Sequence, residues 1–531
     1  MKAGSSLGRL FAESAEKYPD RLALLVDGNT YTYGRLLDDA LRLAELICRV
    51  DEAEVGLCAI YARRSQWAYT GILGTLLAGR GYVPLNPSFP AERTRRMLQL
   101  SGASTVITDD ANLESLRTVI LDEPRKLTVL SPDSCSAAIR AQEFGRHRCL
   151  GNEALNPSRG GFVPREPHAE SVAYLLFTSG TTGTPKGIGI QQSNVLAYIT
   201  GIAARYGIEP CDRFSQNFEI TFDLSVHDMF VCWSRGASLN VPSERVAIAP
   251  AKFIRDRQLT CWFSTPSTAA MMLRLGMLRA GAFPSLRWSL FCGEPLKQHL
   301  AEAWQGAAAN STVENLYGPT EATIACTAYR YCSQSSAVEC VNGIVPIGRP
   351  FGGTLATLVN DRCEPVKDGE VGELLLAGLQ IAPGYWSDQE RTSTSFISSS
   401  SLSHSGPWYR TGDLASKNKQ GNLIYRGRRD GQIKVLGHRV ELQEIEAVAL
   451  EASGAQTVVA LGWPQTAAGA DEVILFLTGS GVSDDAILEA LKRKLPVYMV
   501  PKTIHRLEAM PLSSNQKIDT NELIRMRESM A

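Results

Sequence analysis

At 531 residues, with 44% hydrophobic and 21% charged side chains, the chain has the composition of a packed protein of two or more domains, not of a disordered or fibrous one. Its 54 basic and 55 acidic residues leave a net charge of −1, which excludes the basic excess of a nucleic-acid-binding surface. The first ten residues hold no apolar block of signal-peptide length and no run reaches about 18 apolar residues, so a cytoplasmic protein with neither membrane nor nucleic-acid partners is expected.

Residues 7–111 alternate between helical and strand-like texture: 40–50 has helical apolar spacing, 57–61 is strand-like, and 82–90 reads as a proline-punctuated loop. A second alternation runs over 173–316, with strand-like 172–177, 261–264 and 288–292 separated by helical stretches such as 193–205. Two similar α/β layers facing each other are predicted. From 344 to 427 short β-like runs with frequent glycine, including 372–377 and 423–425, predict a smaller β subdomain, in which the Ser-rich stretch 393–405 reads as a mobile surface loop. Strand-like 432–435, a helix from Leu442, a strand over 472–477 and a helix over 484–494 form a small α+β tail. The expected division is a large core over 1–429 and a small lid domain over 430–531. The 12 cysteines are scattered with neither CxxC nor paired zinc-ligand spacing, which predicts mostly buried thiols.

The sharpest local feature follows the apolar run 172–177: Thr178-Ser179-Gly180-Thr181-Thr182-Gly183-Thr184-Pro185-Lys186-Gly187. Glycines let backbone N–H groups turn inward, hydroxyls add donors, and a lysine supplies the cation a polyphosphate needs. It is not a Walker sequence, because Gly187 follows Lys186 where Ser or Thr would stand. As a phosphate cradle it would engage Ser179, Gly180, Thr181, Thr182, Gly183 and Lys186.

This loop resembles the signature of the adenylate-forming superfamily, which contains nonribosomal peptide synthetase adenylation domains, acyl-CoA synthetases, D-alanine carrier-protein ligases and beetle luciferase. Seven further segments resemble that family's motifs and occur in its order. They are Leu76 through Leu85, Tyr317-Gly318-Pro319-Thr320-Glu321, Gly372-Glu373-Leu374 through Gly384-Tyr385, Tyr409-Arg410-Thr411-Gly412-Asp413, Gly427-Arg428-Arg429-Asp430 through Glu441, Leu495 through Pro501, and Asn515-Gln516-Lys517-Ile518-Asp519. The resemblance implies an α/β fold with two α/β layers and a β subdomain, closed by a mobile α+β C-terminal domain.

It also implies roles. Attack of a carboxylate on the α-phosphorus of ATP gathers negative charge, which calls for a divalent cation and placed lysines. Glu321 resembles the Mg2+ ligand, and Lys517, Lys434 and Thr178 take catalytic positions. Tyr317 matches the residue that stacks on adenine, Asp413 the one that binds both ribose hydroxyls, and Arg428 supports the ribose; Gly318, Thr320 and Tyr409 complete the nucleotide set. Asp430 matches the hinge about which the C-terminal domain rotates, and Lys434 lies on the segment swung in for the second half-reaction. Gln516 departs from the family's usual glycine, a strained choice if that position needs φ > 0.

The segment Phe222-Asp223-Leu224-Ser225-Val226-His227-Asp228 resembles the substrate-recognition helix of amino-acid adenylation domains. A buried aspartate needs a cation, and an α-ammonium supplies one; Asp223 also suits a plain helix N-cap. Carrying the family's pocket across gives Asp223, Leu224, His227, Ser264, Leu290, Cys292, Leu316, Ile324, Ala325 and Lys517. That lining is aliphatic with small polar groups, so a neutral amino acid is expected, small or cyclic, with proline first and serine-, cysteine- or β-amino-acid-like substrates beside it. His227 reads as a neutral wall residue. The expected reaction yields aminoacyl-AMP and then an aminoacyl thioester on a separate phosphopantetheinylated carrier protein, as in secondary-metabolite synthesis. A D-alanine carrier-protein ligase, an acyl-CoA synthetase acting on a non-amino acid, and a non-catalytic nucleotide-binding relative are the alternatives.

Overall fold

The computed structural model describes residues 6–51, 56–135, 139, 143–155, 161–179, 185–243, 246, 248–399, 401–402, 404, 406–429, 432–464, 469–511 and 518–529. The chain divides into two compact units, one of residues 1–87, 94–178 and 186–430, the other of 88–93, 179–185 and 431–531.

Two sheets organise the larger unit. The seven-stranded sheet has the spatial order Arg148–Leu150, Thr128–Leu130, Thr105–Thr108, Leu57–Tyr61, Gly81–Leu85, Val172–Thr178, Lys186–Gln191, parallel except for its last, antiparallel pair. The nine-stranded sheet runs Arg349–Pro350, Thr327–Tyr331, Thr312–Tyr317, Trp288–Phe291, Cys261–Ser264, Arg213–Ser215, Ser238–Asn240, Leu22–Val26, Asn29–Thr32. Helices fill the space between them. Gln66–Leu77 is apolar around its whole circumference and packs on the seven-stranded sheet, its start capped by Ser65. Leu224–Trp233 packs on the nine-stranded sheet, and Leu7–Lys17 touches both helices. Tyr69 and Trp233 meet edge to face at 6.3 Å, with Phe11 against Trp233 at 5.4 Å. One apolar core therefore joins the two predicted α/β layers.

The β subdomain is an antiparallel sheet of Thr354–Val359, Val371–Gly378, Trp408–Lys417 and Phe396–Ile397, with Leu423–Arg428 also paired to Trp408–Lys417. Three local expectations are corrected. Within 82–90, Gly81–Leu85 is an internal strand: Tyr82, Val83 and Leu85 are fully buried, and Pro84, which lacks an N–H, lies past the one registered pair with Val172–Thr178. Within 393–405, Ser393–Ser395 end the helix Gln389–Ser395, and buried Phe396 anchors a short strand between Tyr385 and Tyr409. Of the cysteines, only Cys58, Cys232, Cys261, Cys292 and Cys326 are buried, and Cys135, Cys211 and Cys332 are exposed, since most lie in loops and at helix edges rather than on core-facing positions.

The smaller unit carries the hairpin Gln432–Val435/His438–Glu441 and a three-stranded sheet of Thr457–Trp463, Glu472–Thr478 and Thr503–Leu507. Leu442–Ser453 and Asp484–Lys494 pack together over their own core, which includes Val440, Ile445, Leu475 and Leu491. No described helix is long and apolar enough to cross a membrane.

Candidate active site

Three residues expected to hold the nucleotide, Tyr317, Asp413 and Arg428, meet where the strand Thr312–Tyr317 ends. Asp413 and Arg428 are cross-strand partners in register, which sets the guanidinium beside the carboxylate: Arg428 Nη1 donates to Asp413 Oδ1 at 2.6 Å and Nη2 to the Thr411 carbonyl at 3.1 Å. The Tyr317 hydroxyl donates to the other Asp413 oxygen at 2.5 Å. Burial, then the Asp413 charge, pushes the Tyr317 phenol well above its ordinary pKa, so it stays a neutral donor. Tyr409, expected in this set, is instead a core residue, 1% exposed and packed on Phe396 at 5.0 Å.

Glu321 sits in the 3-10 turn Thr320–Ala322 and is fully buried. Tyr385 donates its hydroxyl to Glu321 Oε1 at 2.9 Å, Lys186 Nζ stands 3.8 Å from the same oxygen, and the lysine lies 5.3 Å over the Tyr385 ring. Lys186 opens the strand Lys186–Gln191 directly opposite Thr178, whose buried hydroxyl has no hydrogen-bond partner among the described residues. An orphaned buried hydroxyl next to a lysine and a carboxylate is what an incoming phosphate would satisfy. The described residues hold no cluster of three or more His, Cys, Asp or Glu, and a single carboxylate suits Mg2+, which takes most of its ligands from phosphates and water. Gly318 is required here for space, because a Cβ would stand 2.6 Å from the Ala325 Cα.

The residues expected to line a side-chain pocket include Ile324 and Ala325, just past this turn. Asp223 precedes the Leu224–Trp233 helix with helical φ and ψ, is buried, and makes no side-chain cap bond, so capping does not explain it. Its charge contributes to raising the buried phenols of Tyr174 and Tyr198, chiefly raised by burial. Tyr198 bonds His227 Nδ1 at 2.7 Å, and Phe263 closes on the imidazole at 4.6 Å. Burial pushes His227 down to about 3, so the ring is neutral, and its Nε2 has no protein partner among the described residues. Leu224, Leu290, Cys292, Leu316, Ile324 and Ala325 all fall in the same buried cluster. Ser264 does not. It pairs in register with Phe291, faces the opposite side of the sheet, and accepts from Trp262 Nε1 at 3.0 Å; Phe263 takes the pocket side. The sequence reading missed Phe263 and Tyr198, which carry no motif, and gave no role to Tyr385, though its Gly384-Tyr385 motif was in view.

Ser179 is buried, its hydroxyl donating to the Arg439 carbonyl at 2.8 Å within the smaller unit. Lys434, half-buried in that unit's hairpin, pairs with Arg439. Gly180, Thr181, Thr182, Gly183, Asp430 and Lys517 lie outside the described residues.

Comparison with known proteins gives one family. The AMP-binding enzyme model matches residues 11–386. The chain is 31% identical over 526 residues to tyrocidine synthase 2 of Brevibacillus parabrevis, an alignment covering 98% of this chain but only 14% of that relative. It is 28% identical to D-alanine–D-alanyl carrier protein ligase of Bacillus licheniformis, covering 96% of this chain and 97% of the relative. Among solved structures it is similar to the Vibrio cholerae adenylation domain AlmE in complex with glycyl-adenosine-5'-phosphate, with a TM-score of 0.88, 32% identity and 98% of each chain covered. The family model, the paired nucleotide residues and the shared fold agree: the chain belongs to the AMP-binding enzymes of the adenylate-forming superfamily and resembles the adenylation domains of nonribosomal peptide synthetases.

Proposed function

We propose that this enzyme uses ATP and Mg2+ to activate a small neutral α-amino acid as its aminoacyl adenylate, then passes the aminoacyl group to the phosphopantetheine thiol of a separate carrier protein. A carboxylate oxygen of the amino acid bonds to the α-phosphorus as the bond to pyrophosphate breaks; in the second step a thiol sulfur bonds to the carbonyl carbon and AMP leaves. Asp413, Tyr317 and Arg428 hold the nucleoside, and Lys186 and Thr178 meet its phosphates. Glu321 would hold Mg2+, which when bound neutralises charge on the phosphates. The resemblance alone supports Lys517 at the reacting carboxylate, Lys434 in the second step and Asp430 as the hinge of a C-terminal lid beginning there.

One observation carries the substrate class: Asp223 is a buried carboxylate at the edge of a pocket whose other described groups are neutral. Asp223 stands where the resemblance puts the aspartate of the substrate-recognition helix, and a buried carboxylate suits an α-ammonium ligand. The aliphatic lining and neutral His227 offer no counter-charge to an acidic or basic side chain. The glycyl-adenylate held by AlmE and the D-alanyl specificity named in the Bacillus relative support the small end of the range, and that relative keeps a D-alanine carrier ligase as the second reading.

Exchange of labelled pyrophosphate into ATP, measured across glycine, both alanine enantiomers, proline, serine, cysteine, a β-amino acid and matched acids without an amino group, tests the proposal. Exchange with one or a few small amino acids is the expected result. Exchange confined to acids lacking the amino group sinks it, and a preference for D-alanine selects the second reading.

A further inference from the structure

The wall of the side-chain pocket is built on a strained backbone. Thr323 and Ile324 have φ of +56° and +73°, and the Ala325 N–H closes back on the Thr323 carbonyl at 2.9 Å. That is a three-residue γ-turn of the rarer, strained sense, with a β-branched residue at its centre and another before it. Such geometry costs on the order of 1–3 kcal/mol per residue and persists only where surrounding groups over-determine it.

One side chain gathers those constraints. Gln380 is fully buried, and its Nε2 donates to the Ala325 carbonyl at 2.8 Å while lying 3.4 Å from that of Ala322 and 3.5 Å from that of Thr323. Thr323 Oγ1 donates in return to the Gln380 carbonyl at 2.5 Å. The segment carrying Gln380 is pinned in turn: Asn194 Nδ2 donates to the carbonyls of Leu379 at 2.8 Å and Ile381 at 3.1 Å. Gly352 leaves room for the amide, since a Cβ there would collide with Gln380 Oε1.

We infer that Gln380 is a positioning residue for substrate selection: it clamps the Thr323–Ala325 turn so that Ile324 and Ala325 form a fixed wall against the substrate side chain. This rests on the reading of Ile324 and Ala325 as pocket residues. Leucine at 380 keeps the volume and removes the donor, so the turn relaxes toward negative φ and the wall shifts. The nucleotide residues are held by other bonds: Asp413 by Tyr317 and Arg428, and the Glu321 carbonyl by the Ala382 N–H at 2.9 Å.

The test compares Gln380→Leu with the wild type, using whichever carboxylic acid supports pyrophosphate exchange in the latter. A wild type that accepts only acids without an amino group overturns the substrate reading and still tests Gln380. The expected result is a KM for the acid raised about tenfold, a KM for ATP within about twofold, and weaker discrimination against the next larger homologue. Should Gln380→Leu not fold, Gln380→Glu keeps the shape, sets an acceptor against the Ala325 carbonyl, and gives the same readings. Equal rises in both KM values, or no change in either, overturns the inference.

Discussion

The two ends of the site in the larger unit are built by opposite means. At the nucleotide end, charged and phenolic groups hold one another: Asp413 by Tyr317 and Arg428, Glu321 by Tyr385 and Lys186. At the side-chain end, aliphatic residues, a neutral imidazole and a strained turn make the surface, and Asp223 is the charge placed among them. Under the proposed function the first arrangement meets a ligand that never changes, so its residues are dictated by the chemistry of a nucleotide. Under the same proposal the second selects a side chain by shape, which many residue combinations and small backbone adjustments can produce.

Substitutions at each end should therefore move different kinetic constants. The largest expected effect is that of Asp413→Ala, which removes the acceptor for the ribose and leaves Arg428 and Tyr317 without their partner; kcat/KM for ATP should fall about 100- to 1,000-fold in the exchange assay. A fall below tenfold would remove Asp413 from the nucleotide site. Next is Asp223→Ala, for which the KM of the amino acid should rise about 100-fold with the KM of ATP unchanged, while the matching α-hydroxy acid loses its disadvantage. If both constants rose together, Asp223 would be a fold residue and the two ends would not be separable. Tyr198→Phe, which deletes one buried hydrogen bond to His227, should raise the amino-acid KM by about three- to tenfold and leave ATP untouched.

The smallest effects concern stability and have opposite signs on the same helix. His227 is pushed down to about 3 by burial, so the unfolded chain binds its proton more readily than the folded one. Stability from this group is complete above about pH 6.5 and is lost as the pH falls toward 3. Asp228, one residue on, is pushed well above the ordinary carboxyl range by burial, with only weak support from the Asn217 backbone. Here the folded state holds the extra proton, and stability is lost as the pH rises above about 4. Melting temperatures across pH 5 to 8 should show Asp228→Asn gaining most at the alkaline end and His227→Leu losing its acid-side decline. An Asp228→Asn variant whose offset from wild type does not change with pH would mean the carboxyl titrates normally.

Much of the architecture was legible before the structure. The strands Leu57–Tyr61 and Cys261–Ser264, the helix Asp484–Lys494 and the hairpin strand Gln432–Val435 lie where periodicity predicts them, because each buries its own apolar pattern. The reading failed where tertiary burial overrode local composition. Pro84 did not prevent an internal strand: it stays in register with Ile60 on one side and lies past the one registered pair on the other, and one buried phenylalanine, Phe396, organised a serine-rich stretch. At the site, Asp413, Glu321 and Lys186 were named from the family motifs they resemble. Ser264 did not, because a one-residue step on a strand changes the face and hands the pocket position to Phe263.

By itself, then, the sequence determined the reaction class, because holding a nucleotide and its phosphates demands particular charged and glycine residues in a particular order, and that order survives as readable motifs. Only the tertiary structure decided how the pocket wall is shaped. The Tyr198–His227 bond and the clamp of Gln380 on the Thr323–Ala325 turn join residues 29, 55 and 57 positions apart, and no local spacing encodes contacts of that range.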